Sequence, residues 1–584
     1  MHPYYLVLIV VLFLIIALYS NWARPSILFL IAVLAFMLFQ VLTPEEVLKG
    51  LANKQIAVIF LLVILSSGFR KAFGNAFFNY VFRPQMRPKQ FLMRMMLFCS
   101  SASAFINNTP IVAFMIPYVK EWVDSKNLPV SKFMIPLSFA TVLGGMITVV
   151  GTSTNLLLSG LIIESGGVPL SYKDFLFLGV IVTVLGLVYL YTIGYMLLPN
   201  KKSATIEMEE HTNEYIVETI VEQASTLAGK SITDANLRNL KDVYLFEIGR
   251  NGSVISPVSP DEKIEAGDQL YFSGRTAAIA RLVKEVGGLT LPDATALKNY
   301  NHHNCIEAII PANSILVGKK VRESDFRKLF NASIIALHRQ GKRISGSVGE
   351  TELNAGDLLL LLGGNKIQQN NSDLFLLKQH DIKLVTEKSS LLSKLVTFGA
   401  VCLLILGITG VMDLFMSALV GILLFISVQT LNFKDIRAAF DFDLAVLLIA
   451  SLAIGFALHK SGAADIIAGS VLKLTGIEPI VSIILLFVVT VFITAVLSNA
   501  AAMSIVFPLA VALAEKLQVP TTPFFVAIAF AASGDFITPI GYQCNLMVYG
   551  PGNYSFKDFF KVGFPLTILY TLACITFIYW YYNL

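Results

Sequence analysis

Charged residues are scarce in this chain. Asp, Glu, Lys and Arg make up 14% of 584 residues against 55% hydrophobic ones, and the mean hydropathy is +0.70, which excludes an ordinary soluble globular protein. Basic residues form no block: the net charge of +5 is spread through loops, which argues against nucleic acid as a partner. The five cysteines, Cys99, Cys305, Cys402, Cys544 and Cys574, have neither Cys-x-x-Cys nor metal-ligand spacing, so they read as core thiols without redox or metal work. No P-loop, no Gly-x-Gly-x-x-Gly after a strand and no metal-spaced histidine cluster occurs, and His302-His303 reads as exposed linker. Enzymatic chemistry therefore has no motif to rest on.

What is present is a series of apolar runs, and a bilayer core needs about 20 mostly apolar residues per helical span. The start, MHPYYLVLIVVLFLIIALYS, lacks a basic leader and a small-residue cleavage site and reads as a retained first span. Hydropathy divides the chain into a membrane half (1–199), a polar block (200–387) and a second membrane half (388–584). The membrane halves repeat one another. IAVIFLLVILSSGF (56–69) resembles LAVLLIASLAIGF (444–456); NNTPIVAFMIP (107–117) aligns with SNAAAMSIVFP (498–508); GGMITVVGTSTNL (144–156) and GDFITPIGYQCNL (534–546) share G-x-x-I-T-x-x-G-x-x-x-N-L. Each half reads as about five spans plus one re-entrant hairpin, 90–124 and 480–519. An odd number of spans inverts the second copy in the membrane.

The positive-inside rule sets the orientation. With the amino terminus outside, inner loops of the first half carry Arg24, Arg70, Lys71, Arg83, Arg87, Lys89, Arg94, Lys120, Lys126 and Lys132, and outer loops only Lys49, Lys54 and Lys173. The polar block is then cytoplasmic and both termini lie outside the cell (inner) membrane. That block is duplicated at an offset of 89 residues: Leu227–Lys230 against Leu316–Lys319, Gly252 against Gly341, and Gly267-Asp268 against Gly356-Asp357. β-like runs alternating with turn residues predict two compact α+β modules, 200–295 and 296–387.

The motifs that repeat in the membrane are the ones that break helices. Backbone groups at bilayer depth must be paired, so a break is tolerated only beside protein or a watery cavity. At Asn107-Asn108-Thr109-Pro110 an asparagine can cap a new half-helix and proline fits its first turn; Ser498-Asn499 repeats this. Gly151-Thr152-Ser153-Thr154-Asn155 and Gly541-Tyr542-Gln543-Cys544-Asn545 read as unwound points, with glycine allowing the turn. Half-helix amino termini favour an anion, while unwound carbonyls and Ser, Thr and Asn oxygens favour a hard cation such as sodium. A lone asparagine in a membrane helix most often bonds a neighbouring helix; four breaks at matching positions favour a shared site. Asp535, matched by Gly145, is an acid whose burial at this depth costs roughly 3 kcal/mol or more unless it is compensated. It is a candidate to coordinate a cation, carry a coupling proton, or pair with a neighbour.

At these residues both membrane halves resemble the divalent anion/sodium symporter family. The family's Ser-Asn-Thr tip reads Asn107-Asn108-Thr109 and Ser498-Asn499-Ala500 here, with Gly-x-x-x-Asn breaks at Gly151 to Asn155 and Gly541 to Asn545. The resemblance implies substrate contacts at Asn108, Thr109, Thr152, Ser153, Asn155, Ser498, Asn499, Gln543 and Asn545. It implies cation contacts at Asn107, Asn108, Gly151, Ser498, Asn499, Thr538, Gly541 and Asp535. It also implies a homodimer working as an elevator, with sodium ions, or protons, as coupling ions and no further cofactor. Asn107 replaces serine and Ala500 replaces threonine, a departure from the dicarboxylate pattern. TPIGYQCNLMVYGPGNY (538–554) and the modules, each similar to the TrkA carboxyl-terminal domain, resemble the sulfate-permease branch, with sulfate as the expected substrate and a dicarboxylate as the alternative. The modules imply a small cytosolic regulatory ligand, and with it a transceptor reading; a channel reading lacks a TVGYG-like filter.

Overall fold

Proline and acidic caps decide where the apolar runs start as helices. A computed structural model describes residues 2–202 apart from 20, 21, 23, 24, 52, 73–84 and 169; 216–376 apart from 238, 239, 241, 242, 251, 252, 256, 257, 275–287, 291–304, 312, 313, 331, 340, 341, 345–347 and 364–372; and 391–584 apart from 440, 441, 476, 477 and 496. The first half contains α1 (Pro3–Tyr19), α2 (Pro25–Leu38), α3 (Pro44–Leu51), α4 (Lys54–Ala72), α5 (Pro88–Ser103), α6 (Asn108–Asp124), α7 (Met134–Gly145), α8 (Ser153–Glu164) and α9 (Tyr172–Leu197). The second contains α10 (Leu391–Ile408), α11 (Leu414–Ser427), α12 (Phe433–Ala439), α13 (Phe442–Lys460), α14 (Ala463–Thr475), α15 (Pro479–Thr494), α16 (Asn499–Leu517), α17 (Thr522–Ser533), α18 (Gln543–Tyr549) and α19 (Phe556–Tyr581). Element for element, α10–α13 repeat α1–α4, and α15–α19 repeat α5–α9.

The starts repeat as well. α5 and α15 both begin on a proline, where no intrahelical N–H is required. α9 and α19 both begin with a serine and an aspartate three residues on, Ser171 with Asp174 and Ser555 with Asp558, each aspartate accepting the serine N–H at 2.8 Å. Among the described residues α9, α16 and α19 are long and apolar enough to cross a bilayer unaided, and α13 with α14, bent by 68°, makes a fourth such path. Nine further apolar helices run 10–17 residues. Many are shortened by the breaks that the sequence repeats. The chain is a multi-pass membrane protein.

The halves pack by exchange: α2 lies against α13 and α11 against α4. One apolar cluster joins α1 and α2 to α13 and reaches Leu497 and Ala501 at the start of α16. A larger one holds the remaining membrane helices together.

The polar block forms two five-stranded sheets. The first is β3-β2-β4-β1-β5, from β1 (Ile216–Val221), β2 (Val243–Arg250), β3 (Ser253–Ile255), β4 (Gln269–Gly274) and β5 (Leu289–Thr290). The second is β8-β7-β9-β6-β10, from β6 (Cys305–Ile309), β7 (Ala332–Arg339), β8 (Lys342–Arg343), β9 (Leu358–Gly363) and β10 (Phe375–Leu376), the same order strand for strand. Gly267 and Gly356 turn at φ +87° and +81°, backbone that only glycine adopts freely. The following aspartates, Asp268 and Asp357, receive Arg250 and Arg339 through two guanidinium nitrogens at 2.7–2.8 Å. Burial pushes the Asp357 carboxyl up, against the pull of Arg339 and the Asn354 N–H, and Asp357 in turn raises Arg339. His302 and His303 lie outside the described residues.

The two modules are not equivalent in their surroundings. Ile309 and Leu358 of the second module belong to the membrane cluster, and Gly356 lies so close to Leu546 of α18 that a β-carbon would press on the leucine side chain. Glu307 of β6 meets Lys120 of α6 at 2.6 Å, the two side chains 2% and 4% exposed. The first module's described apolar residues form a core of their own. The second module is therefore part of the membrane body's packing rather than a detachable insert.

Candidate functional site at the crossing of four helix breaks

The two halves close their breaks with the same bonds. In the first, Thr148 donates to the Ala104 carbonyl and accepts the N–H groups of Val150 and Gly151 at 3.2 Å, and Asn155 Nδ2 donates to the Thr148 carbonyl at 3.2 Å. In the second, Thr538 donates to Ala495 at 2.9 Å and accepts Gly541 N–H at 3.2 Å, and Asn545 Nδ2 donates to Thr538 at 3.2 Å. The tips match too: Ser103 donates to Asn108 Oδ1, and Thr494 to Asn499 Oδ1 at 2.8 Å. These threonines and hydroxyls satisfy carbonyls that an unbroken helix would have paired. Thr148 sits in the shared I-T pattern, a signal in the sequence whose bonding role shows only in three dimensions.

Gly151 and Gly541 serve a different purpose from the one expected. Neither has positive φ; each is needed because other groups press on its Cα. A β-carbon at Gly151 would run into the Gly145 and Ser103 carbonyls, and one at Gly541 into Asp535 Oδ2 and the Thr494 carbonyl. Asn107 also differs from expectation: it occupies the cap position of α6 without a side-chain cap bond, whereas Ser498 accepts Ala501 N–H at 3.4 Å at the start of α16.

The breaks meet across the halves. Asn108 Nδ2 donates to the Tyr542 hydroxyl, Thr109 donates to Gln543 Oε1 at 3.3 Å, and Ser138 of α7 donates to Asn545 Oδ1 at 2.7 Å. The start of α6 thus meets the second unwound point directly, and α16 meets α8 through helix packing. Asn108, Thr152, Asn155, Asn499, Asn545 and Asp535 are buried in this framework, while Asn107, Thr109, Ser153, Ser498, Thr538, Tyr542 and Gln543 are half-buried on its surface.

The framework is not symmetric in what it leaves over. Buried side-chain atoms without a hydrogen bond include Asn155 Oδ1, Asn499 Nδ2, Ser533 Oγ and Asp535 Oδ1. Sequence alignment explains two of them. Ile528 stands where Ser138 stands in the other half, so Asn155 Oδ1 lacks the hydroxyl that Asn545 Oδ1 has. Thr152 stands where Tyr542 stands, and its shorter side chain does not reach Asn499. An unmet buried polar group costs about 1–3 kcal/mol, so these atoms suit a bound solute. Asp535, 1% exposed, has no ion pair among the described residues; its Oδ2 lies 3.5 Å from Thr538 Oγ1. At Gly145 an acid could not be placed, because Asn108 Oδ1 fills that space.

Two hollows adjoin the site. One of about 10 Å³, room for roughly one water, is lined by Asn107, Ser153, Val150 and Leu156 with residues of α4. The other, about 270 Å³, lies between α4, α5, α6 and α10, walled by Phe69, Phe98, Phe105, Phe114 and Leu404. Its apolar walls cannot replace the hydration of a divalent anion. The polar crossing is the better candidate despite its smaller space.

Known proteins give this geometry its setting. The chain is 29% identical over 97% of its length to an uncharacterized transporter of Synechocystis, covering 95% of that protein. It is 29% identical to a putative sulfur deprivation response regulator of Chlamydomonas reinhardtii, with 92% and 94% covered. It is 30% identical to a probable sodium/sulfate cotransporter of the same alga, over 61% of this chain and 41% of that one. The citrate transporter family (CitMHS) matches residues 10–406 and 401–584, two stretches that take in every break described above. The repeated breaks and the membrane helices that carry them are those of a transporter, and the chain belongs to the citrate transporter family.

Proposed function

We propose that the protein is a secondary active transporter that carries a divalent oxyanion, with sulfate first, together with sodium. The observation that carries this reading is the crosswise meeting of Asn108 and Thr109 with Tyr542 and Gln543 beside the unpartnered Asn499 Nδ2 and Asn155 Oδ1. The amino termini of α6, α8 and α16 and the free amide favour the anion. Asp535, Thr538 and unwound carbonyls favour sodium. Relatives named as sodium/sulfate cotransporters support the same pair of solutes. Sodium and anion bound together offset much of each other's cost at bilayer depth.

In this reading the halves are inverted in the membrane, residues 90–124 and 480–519 are re-entrant hairpins, and the hairpin-bearing body moves past a scaffold within a homodimer. Both termini face outward and the modules, of the TrkA carboxyl-terminal kind and of the sulfate-permease branch, face the cytosol. Labelled sulfate uptake into proteoliposomes, with and without an inward sodium gradient and competed by succinate, phosphate and molybdate, tests it. Saturable, gradient-driven uptake resisted by succinate is expected; sodium-independent or succinate-dominated uptake overturns the assignment. A sensor role is the second reading, favoured by the relative named as a sulfur deprivation response regulator and by the docking of the second module on α6 and α18.

A further inference from the structure

The four breaks form two crossings that the duplication makes comparable position by position. At one, tip residues Asn108 and Thr109 bond Tyr542 and Gln543; at the other, α16, which begins with their counterparts Asn499 and Ala500, packs on α8, which begins at Ser153. The first crossing is bridged by its own side chains. Asn108 Nδ2 goes to the Tyr542 hydroxyl and the Thr109 hydroxyl to Gln543 Oε1. The second is not: Asn499 Nδ2 has no acceptor, and the hydroxyls of Ser498 and Ser153 donate no bond among the described residues, Ser498 only accepting one from Ala501. The difference traces to one side chain. Tyr542 reaches across from the second break to Asn108, a span that the short side chain of Thr152, its counterpart, cannot make.

The geometry points to Tyr542 as the residue that sets substrate size: its phenol occupies one crossing as a built-in ligand, so that a single compact divalent oxyanion binds at the other. A four-carbon dicarboxylate carries a charged group at each end and needs donors at both crossings. A tetrahedral oxyanion needs only one. With the ring in that crossing, the second carboxylate of a longer substrate has no space there and would be left buried without donors, which is enough to reject it. This inference rests on the transport reading above and specifies which anions that site admits.

The test is uptake of labelled sulfate by reconstituted wild type, Tyr542→Thr, Tyr542→Phe and Thr152→Tyr, each competed by succinate. Tyr542→Thr is expected to lower the succinate concentration for half-inhibition by about tenfold or more, equivalent to about 1.4 kcal/mol. Tyr542→Phe keeps the ring and should keep succinate excluded. Thr152→Tyr should abolish uptake while the purified protein stays monodisperse. Unchanged competition in Tyr542→Thr, or a gain in Tyr542→Phe equal to it, overturns the inference while leaving sulfate transport standing. Should Tyr542→Thr fail to insert, the Phe and Thr152→Tyr results decide. Wild type that takes up no sulfate overturns both the inference and the reading beneath it.

Discussion

Asn108 and Asn499 hold matching positions and unequal bonds, so one substitution has two outcomes. Asn108→Ala strands the hydroxyls of Ser103 and Tyr542 and should lower stability by about 1–3 kcal/mol. Asn499→Ala removes an amide whose nitrogen has no partner, and Thr494 retains the Ala532 carbonyl at 2.9 Å. Thermal unfolding of the purified proteins should separate them clearly, with only the first shifted, although both should lose uptake. An equal shift would contradict the asymmetry. Asp535→Asn provides a second check at this scale. Removing an uncompensated buried charge should make the sodium-free protein more resistant to heat and blunt the stabilisation that added sodium gives wild type. Undiminished sodium stabilisation in that variant would take Asp535 out of the cation site.

At the scale of elements, α6 links the site to the second module. Its first residues form the tip, and Lys120 near its end is buried against Glu307 of β6. Lys120→Met takes the cation from a buried carboxylate and should cost about 3–5 kcal/mol, while Lys120→Met with Glu307→Leu should recover most of it. Denaturation of the two variants measures this; a double variant as weak as the single would deny the pairing. The helix breaks themselves were legible in the sequence, because G-x-x-I-T-x-x-G-x-x-x-N-L carries the hydroxyl, the small residue and the amide that an interrupted helix needs. The strands of the modules were legible from their alternation and Gly-Asp turns. The plug by Tyr542, the missing hydroxyl at Ile528 and the docking of Glu307 were not. Each depends on which side chain faces which across the halves, and no local pattern encodes that.

For the whole molecule, the docked module changes what truncation means. Deleting 203–387 would take Glu307 away from Lys120 and uncover the membrane residues against which Ile309 and Leu358 pack, so the shortened protein should unfold at lower temperature than the full chain. Equal stability would contradict the docking. The central claim, that an anion and sodium bind together where the four breaks cross, is most directly tested by protection of the half-buried Ser498. In a Ser498→Cys variant, a water-soluble thiol reagent should label the crossing, and sulfate with sodium should slow labelling several-fold, more than either alone. Labelling at the same rate with and without both solutes would place the binding site elsewhere.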